Sequence, residues 1–151
     1  TLHTNSAIGA IPRLLDIGVS RSIMSGNIIG IIAQRLARKL CAYCKESYEP
    51  EAFEKQLLSI PESENVTLYR AAGCDQCNNV GYKGRLAVLE TLRFTSEMDD
   101  LLLEGATQHA LLDKAIENGF STMVQSGIRW VKQGETSLEE ISRIVNLTDL
   151  L

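Results

Sequence analysis

Two Cys-x-x-Cys pairs, Cys41/Cys44 and Cys74/Cys77, restrict what this chain can fold into more than any other feature. A two-residue gap lets both sulfurs of a pair turn toward one point. Two pairs then supply four thiolates, enough for a tetrahedral shell around Zn(II) with metal–sulfur bonds of about 2.3 Å. The 29 residues between the pairs, 45–73, exceed the roughly 15–20 of a compact zinc ribbon, so they must loop out as an inserted lobe. Each doubling of such a loop costs only about 0.6 kcal/mol, so the spacing permits a shared site. Free core cysteines, a disulfide and a redox dithiol are the other readings of these four residues. Free cysteines rarely come as two matched pairs. A thioredoxin-like dithiol opens a helix that follows a strand, whereas the residues before Cys41 read as the end of a helix. A structural Zn(II) is the expectation. With sulfur at every position no site is left open for water, so the ion would hold structure and not catalyse. Lys45, Arg70 and Lys83 lie close by in sequence and are expected to temper the charge of the sulfurs.

The rest of the chain offers enough apolar material for one domain or two small ones: 151 residues, 44% hydrophobic and 23% charged, which excludes disorder and collagen. A net charge of -4 argues against a polyanion binder, and no nucleic acid is expected. Charge is uneven. Residues 13–45 hold six bases against Asp16 alone, a pattern read here as a solvated helix side. The longest apolar stretch without a charge, 22–34, has thirteen residues and falls short of the roughly 18 of a spanning helix. No secretory signal is visible, so a reducing compartment is expected, and a chain opening on Thr1 reads as a piece of something longer.

Periodicity predicts an α+β chain that is predominantly helical. Ser6 is placed to cap a helix with Ile8, Ile11, Leu14 and Leu15 on its apolar side, ending near Gly18. A longer helix is expected from Ser22, with Ile23, Met24, Ile28, Ile31, Ile32, Leu36 and Leu40 inward. An acidic helix over 51–58, a break at Pro61, a strand over 66–69, a turn-rich segment at 81–85 and a strand over 86–92 follow. Short helices then begin at Ser96 and Thr107 and stop at Gly105 and Gly119. A third ends at Gly134, and Ser137 with Glu140 predicts a capping box for the last. Trp130 is read as helix packing or an edge contact.

No complete active site is present. None of the eleven glycines precedes a lysine, so a phosphate-binding loop is absent, and there is neither a strand ending in paired acids nor a GxSxG elbow. His3 sits in a polar loop, where an imidazole could sense an anion or simply face solvent; His109 reads as surface helix.

One ordered set of segments carries a resemblance. Thr1-Leu2-His3-Thr4-Asn5, Ala33-Gln34-Arg35-Leu36 with Arg38-Lys39-Leu40-Cys41, Gly73-Cys74 to Cys77, Gly81-Tyr82-Lys83-Gly84-Arg85 and Gly134-Glu135-Thr136-Ser137-Leu138-Glu139-Glu140 together resemble the C-terminal part of a type II secretion or type IV pilus assembly ATPase. The resemblance implies the end of a RecA-like ATPase core (1–40), a tetracysteine zinc-binding subdomain (41–85) and a helical C-terminal domain (86–151). It implies a parent that is a cytoplasmic homohexameric motor. That parent would be peripheral to the inner membrane, using ATP and Mg(II) to push on an inner-membrane platform protein. His3 corresponds to the family's histidine box near the terminal phosphate. Cys41, Cys44, Cys74 and Cys77 match the zinc site of extension-type members, whereas retraction-type relatives usually lack it. The fragment alone is expected to be inactive. The alternative is a stand-alone zinc-stabilised module that binds protein or nucleic acid through the basic segment 35–45.

Overall fold

A computed structural model describes residues 2–147; Thr1, first residue of the histidine-box motif, lies outside the described residues. The elements run α1 (Ala10–Asp16), α2 (Arg21–Met24), β1 (Gly30–Leu40), β2 (Glu46–Tyr48), α3 (Ala52–Leu57), β3 (Leu68–Arg70), a 3-10 turn (Asp75–Cys77), β4 (Tyr82–Arg93), α4 (Ser96–Leu103), α5 (Gln108–Glu117), α6 (Met123–Lys132) and α7 (Leu138–Ile144). Helix exceeds strand in a mixed fold, in agreement with the expected class. No helix among the described residues is long and apolar enough to cross a membrane.

The long helix expected from Ser22 does not form. Its first residues fall in α2, a turn follows at 25–27, and strand β1 takes the rest from Gly30. Exposure alternates along β1, with Ile32, Gln34 and Leu36 outward and Ile31, Ala33, Arg35 and Ala37 turned further inward. Apolar side chains occupy both faces, so the period of two is hidden from the sequence, while the isoleucine-rich composition favours a pleated strand. β1 pairs with β4. Phe94 N donates to the Ile29 carbonyl (3.2 Å) at one end and Cys41 N to the Gly81 carbonyl (3.0 Å) at the other, so the two strands run in opposite directions. Of the segment expected to be turn-rich, 81–85, Gly81 is a bend and 82–85 are the start of β4. β2 and β3 form a second antiparallel pair in which Glu46, Ser47 and Tyr48 face Arg70, Tyr69 and Leu68.

Two compact units result, each made of separated pieces of chain: residues 1–34 with 89–123, and 35–88 with 124–151. In the first, Ile8 and Ile11 of the α1 region pack with Met24, Leu92, Phe94, Met98, Leu102 and Leu111 as one buried cluster. α5 is capped as its sequence suggests, Thr107 Oγ1 accepting from Ala110 N at 3.2 Å, and Ser6 Oγ accepts from Gly9 N at 3.1 Å just ahead of α1. In the second unit α6 and α7 pack closely at Gly127, where a methyl group would meet Ile141 Cγ2 at 2.8 Å. Trp130 Nε1 donates to the Ala87 carbonyl of β4 (3.1 Å), a contact with the strand, where helix packing or an edge contact was expected. Leu40 N reaches the Glu135 carbonyl (2.8 Å) and Thr136 Oγ1 the Arg38 carbonyl (2.8 Å), tying the α6–α7 connection to the end of β1.

Candidate metal centre

Two tight corners bring the cysteines together. Cys41 follows the last residue of β1, and the chain turns at once, with the Cys44 and Lys45 amides both donating to the Cys41 carbonyl (3.3 and 3.0 Å). Cys74 opens the 3-10 turn, and the Cys77 and Asn79 amides return to its carbonyl (3.1 and 2.9 Å). All four cysteines are free, and their Sγ atoms lie within 4.8 Å of one another. Cys41 and Cys74 are 4.0 Å apart, Cys44 and Cys77 3.8 Å, and Cys74 and Cys77 3.8 Å, sulfur to sulfur. A tetrahedron with bonds of about 2.3 Å has edges of about 3.8 Å, so these four sulfurs fit one four-coordinate ion. The pairing foreseen from the spacing is met, although Cys41 ends a strand where a helix was expected. The dithiol reading still lacks its helix, because β2 follows Cys44.

Backbone amides face the sulfurs. Gly73 N donates to Cys44 Sγ (3.3 Å), and Cys77 Sγ receives both Cys74 N (3.3 Å) and Gly81 N (3.2 Å). Gly73 (φ +114°) and Gly81 (φ +80°) take left-handed conformations to aim those groups. A methyl group on Gly73 would stand 2.8 Å from the Asn79 carbonyl oxygen, and one on Gly81 2.6 Å from Ala71 Cβ. The sequence places Gly81 in a turn-rich segment; only the folded corners reveal its sulfur contact. Burial works to raise the Cys77 thiol, but the Cys74 and Gly81 amides, with the neighbouring sulfurs, outweigh it and bring the thiol down to about 6. Burial pushes the Cys44 thiol up, against the opposing Gly73 amide. Two of the three cationic side chains expected near the sulfurs have other partners. Lys45 Nζ donates to the Gly134 carbonyl (2.8 Å) and lies 4.5 Å from the Tyr69 ring centroid, and Arg70 pairs with Glu46 (3.2 Å).

An ion pair between a buried carboxylate and a partly exposed guanidinium braces this lobe against α7. Glu140, 4% exposed, accepts from Arg38 N (2.9 Å), Nε (2.9 Å) and Nη2 (2.6 Å), and from Arg143 Nη1 (3.2 Å). The Arg38 guanidinium lies 4.1 Å from the Tyr82 ring centroid, and the Tyr82 hydroxyl shares a 2.7 Å hydrogen bond with Ser137 Oγ. The capping box is therefore half formed: Ser137 Oγ accepts from Glu140 N (3.1 Å), but the Glu140 carboxylate is committed to Arg38. Its role was invisible in sequence because a glutamate three residues after a serine already has a local explanation.

His3 is exposed in the loop before α1, in the first unit, whereas the cysteines belong to the second. His109 is exposed on α5 and pairs with Asp113 at 2.9 Å, as a surface helix position should.

Fold and site together define a mixed α and β chain that gathers four cysteine sulfurs at one point. The family model described as "Type II/IV secretion system protein" matches residues 1–143, and the chain belongs to that family. It is 40% identical over 144 residues to the Type II secretion system ATPase E of Vibrio cholerae, covering 95% of this chain and 28% of that protein. It is 38% identical over 145 residues to the Type IV pilus assembly ATPase PilB of Myxococcus xanthus, covering 93% of this chain and 25% of the relative. Against the PilB of Pseudomonas aeruginosa it is 39% identical over 146 residues, with coverages of 95% and 26%. The chain thus spans about a quarter of the length of these relatives.

Proposed function

We propose that the chain is the C-terminal part of a cytoplasmic hexameric motor ATPase that powers type II secretion or the assembly of a type IV pilus. The observation that carries this reading is a match running through the tetracysteine corners and the helical tail, to relatives named as secretion and pilus assembly ATPases. Along the chain, residues 1–40 are read as the end of a RecA-like core, 41–85 as the zinc-binding stretch and 86–151 as the helical stretch. On this reading ATP and Mg(II) are held by parts of the parent beyond these residues, since no glycine here precedes a lysine. The isolated chain is then inactive, and His3 of the parent lies by the terminal phosphate.

Cys41, Cys44, Cys74 and Cys77 would hold Zn(II), which supplies a rigid cross-link and no reaction chemistry because four sulfurs fill its shell. The Gly73, Cys74 and Gly81 amides stabilise thiolate charge, and the Arg38–Glu140 pair carries the rigidity of the corners into α7. A lobe pinned in this way moves as one body, which suits a motor that converts closure of neighbouring subunits into a push on an inner-membrane platform protein. The test uses the full-length protein that carries this chain. Cys41→Ser with Cys74→Ser is expected to remove one zinc per chain by elemental analysis and to abolish secretion or piliation. Unchanged zinc content together with unchanged export would refute the reading.

A further inference from the structure

β4 presents Val88, Glu90 and Leu92 at its three core-facing positions, and the middle one carries a carboxyl group where an apolar side chain would serve packing. Glu90 is 4% exposed. Such a group is costly to bury unless donors meet it, and two do. Oε1 accepts from the backbone N–H of Ala7, and Oε2 accepts from the backbone N–H of Met123 at 2.8 Å. Ala7 is fully buried and stands four residues after His3. Between them, Thr4 Oγ1 donates to the Ser6 carbonyl (3.1 Å) and Ser6 Oγ accepts from Gly9 N (3.1 Å), so the loop is compact and its orientation is set where it is anchored.

We propose that Glu90 is the positioning residue of the His3 loop: it fixes the backbone at Ala7, and with it the direction of the imidazole, by joining that amide and the first amide of α6 to one carboxylate. This rests on reading His3 as a nucleotide-site residue. An apolar residue at position 90 would pack the strand equally well and leave the loop without its anchor, whereas an aspartate keeps the charge and shortens the reach.

The full-length ATPase carrying this chain tests the proposal through turnover, with His3→Ala as reference. Glu90→Gln is expected to lower kcat about tenfold or more with KM for ATP within about twofold, since misplacing a catalytic group is felt mainly in turnover. Adding it to His3→Ala should slow the enzyme no further, because both act through one group. Glu90→Asp should recover part of the loss. Hydrogen exchange on the full-length protein reads the anchor directly: Glu90→Gln and Glu90→Leu should speed exchange at 3–8 and at 123, with α5 unchanged. If His3→Ala leaves kcat intact, the nucleotide-site reading of His3 falls. If His3→Ala impairs turnover and Glu90→Gln does not, or if exchange at 3–8 is unaltered, the role of Glu90 falls; uniform acceleration across the first unit would mean that Glu90 only holds the core together.

Discussion

Gly73 and Gly81 each combine a left-handed backbone, a close approach and an N–H aimed at sulfur, so they are the residues through which the corners are most easily tested. Gly81→Ala should weaken metal binding about thirtyfold or more in competition with a chromogenic chelator, since a strained backbone and a displaced donor each cost on the order of 1 kcal/mol or more. Gly84→Ala is the matched control: φ is +87°, yet a methyl group there meets open space and no sulfur depends on it. With amides and neighbouring sulfurs holding the Cys77 thiol below its ordinary range, metal binding at neutral pH is expected to release fewer than four protons per ion. Calorimetry in buffers of different ionisation enthalpy checks the number. Glu140 gives a pH dependence of defined sign. Burial acts to raise its pKa, but hydrogen bonds from the Arg38 side chain and backbone and the charges of Arg38 and Arg143 outweigh it and hold the carboxyl below its usual range. Its contribution is therefore present above the unfolded value of about 4.3 and is lost as pH falls through the lower folded value. Glu140→Gln should cost about 1–3 kcal/mol at pH 7, less than a fully buried pair because Arg38 is partly exposed, and should converge with the parent in acid. Urea midpoints across pH report both.

α6 and α7 set helix propensity against packing. Alanine in place of Gly127 would gain about 1 kcal/mol in an isolated helix, yet its methyl group would lie 2.8 Å from Ile141 Cγ2, and Ile141 is fully buried. Overpacking should win, leaving Gly127→Ala destabilised by about 1–3 kcal/mol in thermal unfolding, with Ile141→Ala in the same chain absorbing part of the clash. The helices after β4 were legible in sequence because each combines one apolar stripe with a local start and stop: Thr107 caps α5 by its own side chain, and Gly105 and Gly119 fall just past α4 and α5. β1 was not, because Ile31 and Ile32, or Leu36 and Ala37, put apolar groups on both faces and imitate helical spacing. The cysteine cluster was legible because the two-residue gap is a covalent constraint that works within one corner. The amides that face the sulfurs, the Arg38–Glu140 brace and the Glu90 anchor were not, since each depends on residues brought together only by the fold, across separations of up to 102 positions.

Treating the whole molecule with a strong chelator should act on one unit only. If the sulfurs hold an ion, stripping it should accelerate hydrogen exchange at 41–45 and 73–81, while the cluster around Met24, Leu92 and Met98 keeps its protection. Equal acceleration in both units would contradict this. The two units also share an arrangement with genetic consequences: each is assembled from one early and one late stretch of the chain, and β1 and β4 each contribute to both. A stop codon after Met123 would therefore spare every cysteine and still delete Glu140, the carboxylate that neutralises Arg38 beside them. Chimeras grafting this lobe onto another member of the family must transplant 124–151 along with 35–88, because a swap confined to the cysteine-bearing stretch would inherit a tail selected for a different neighbour.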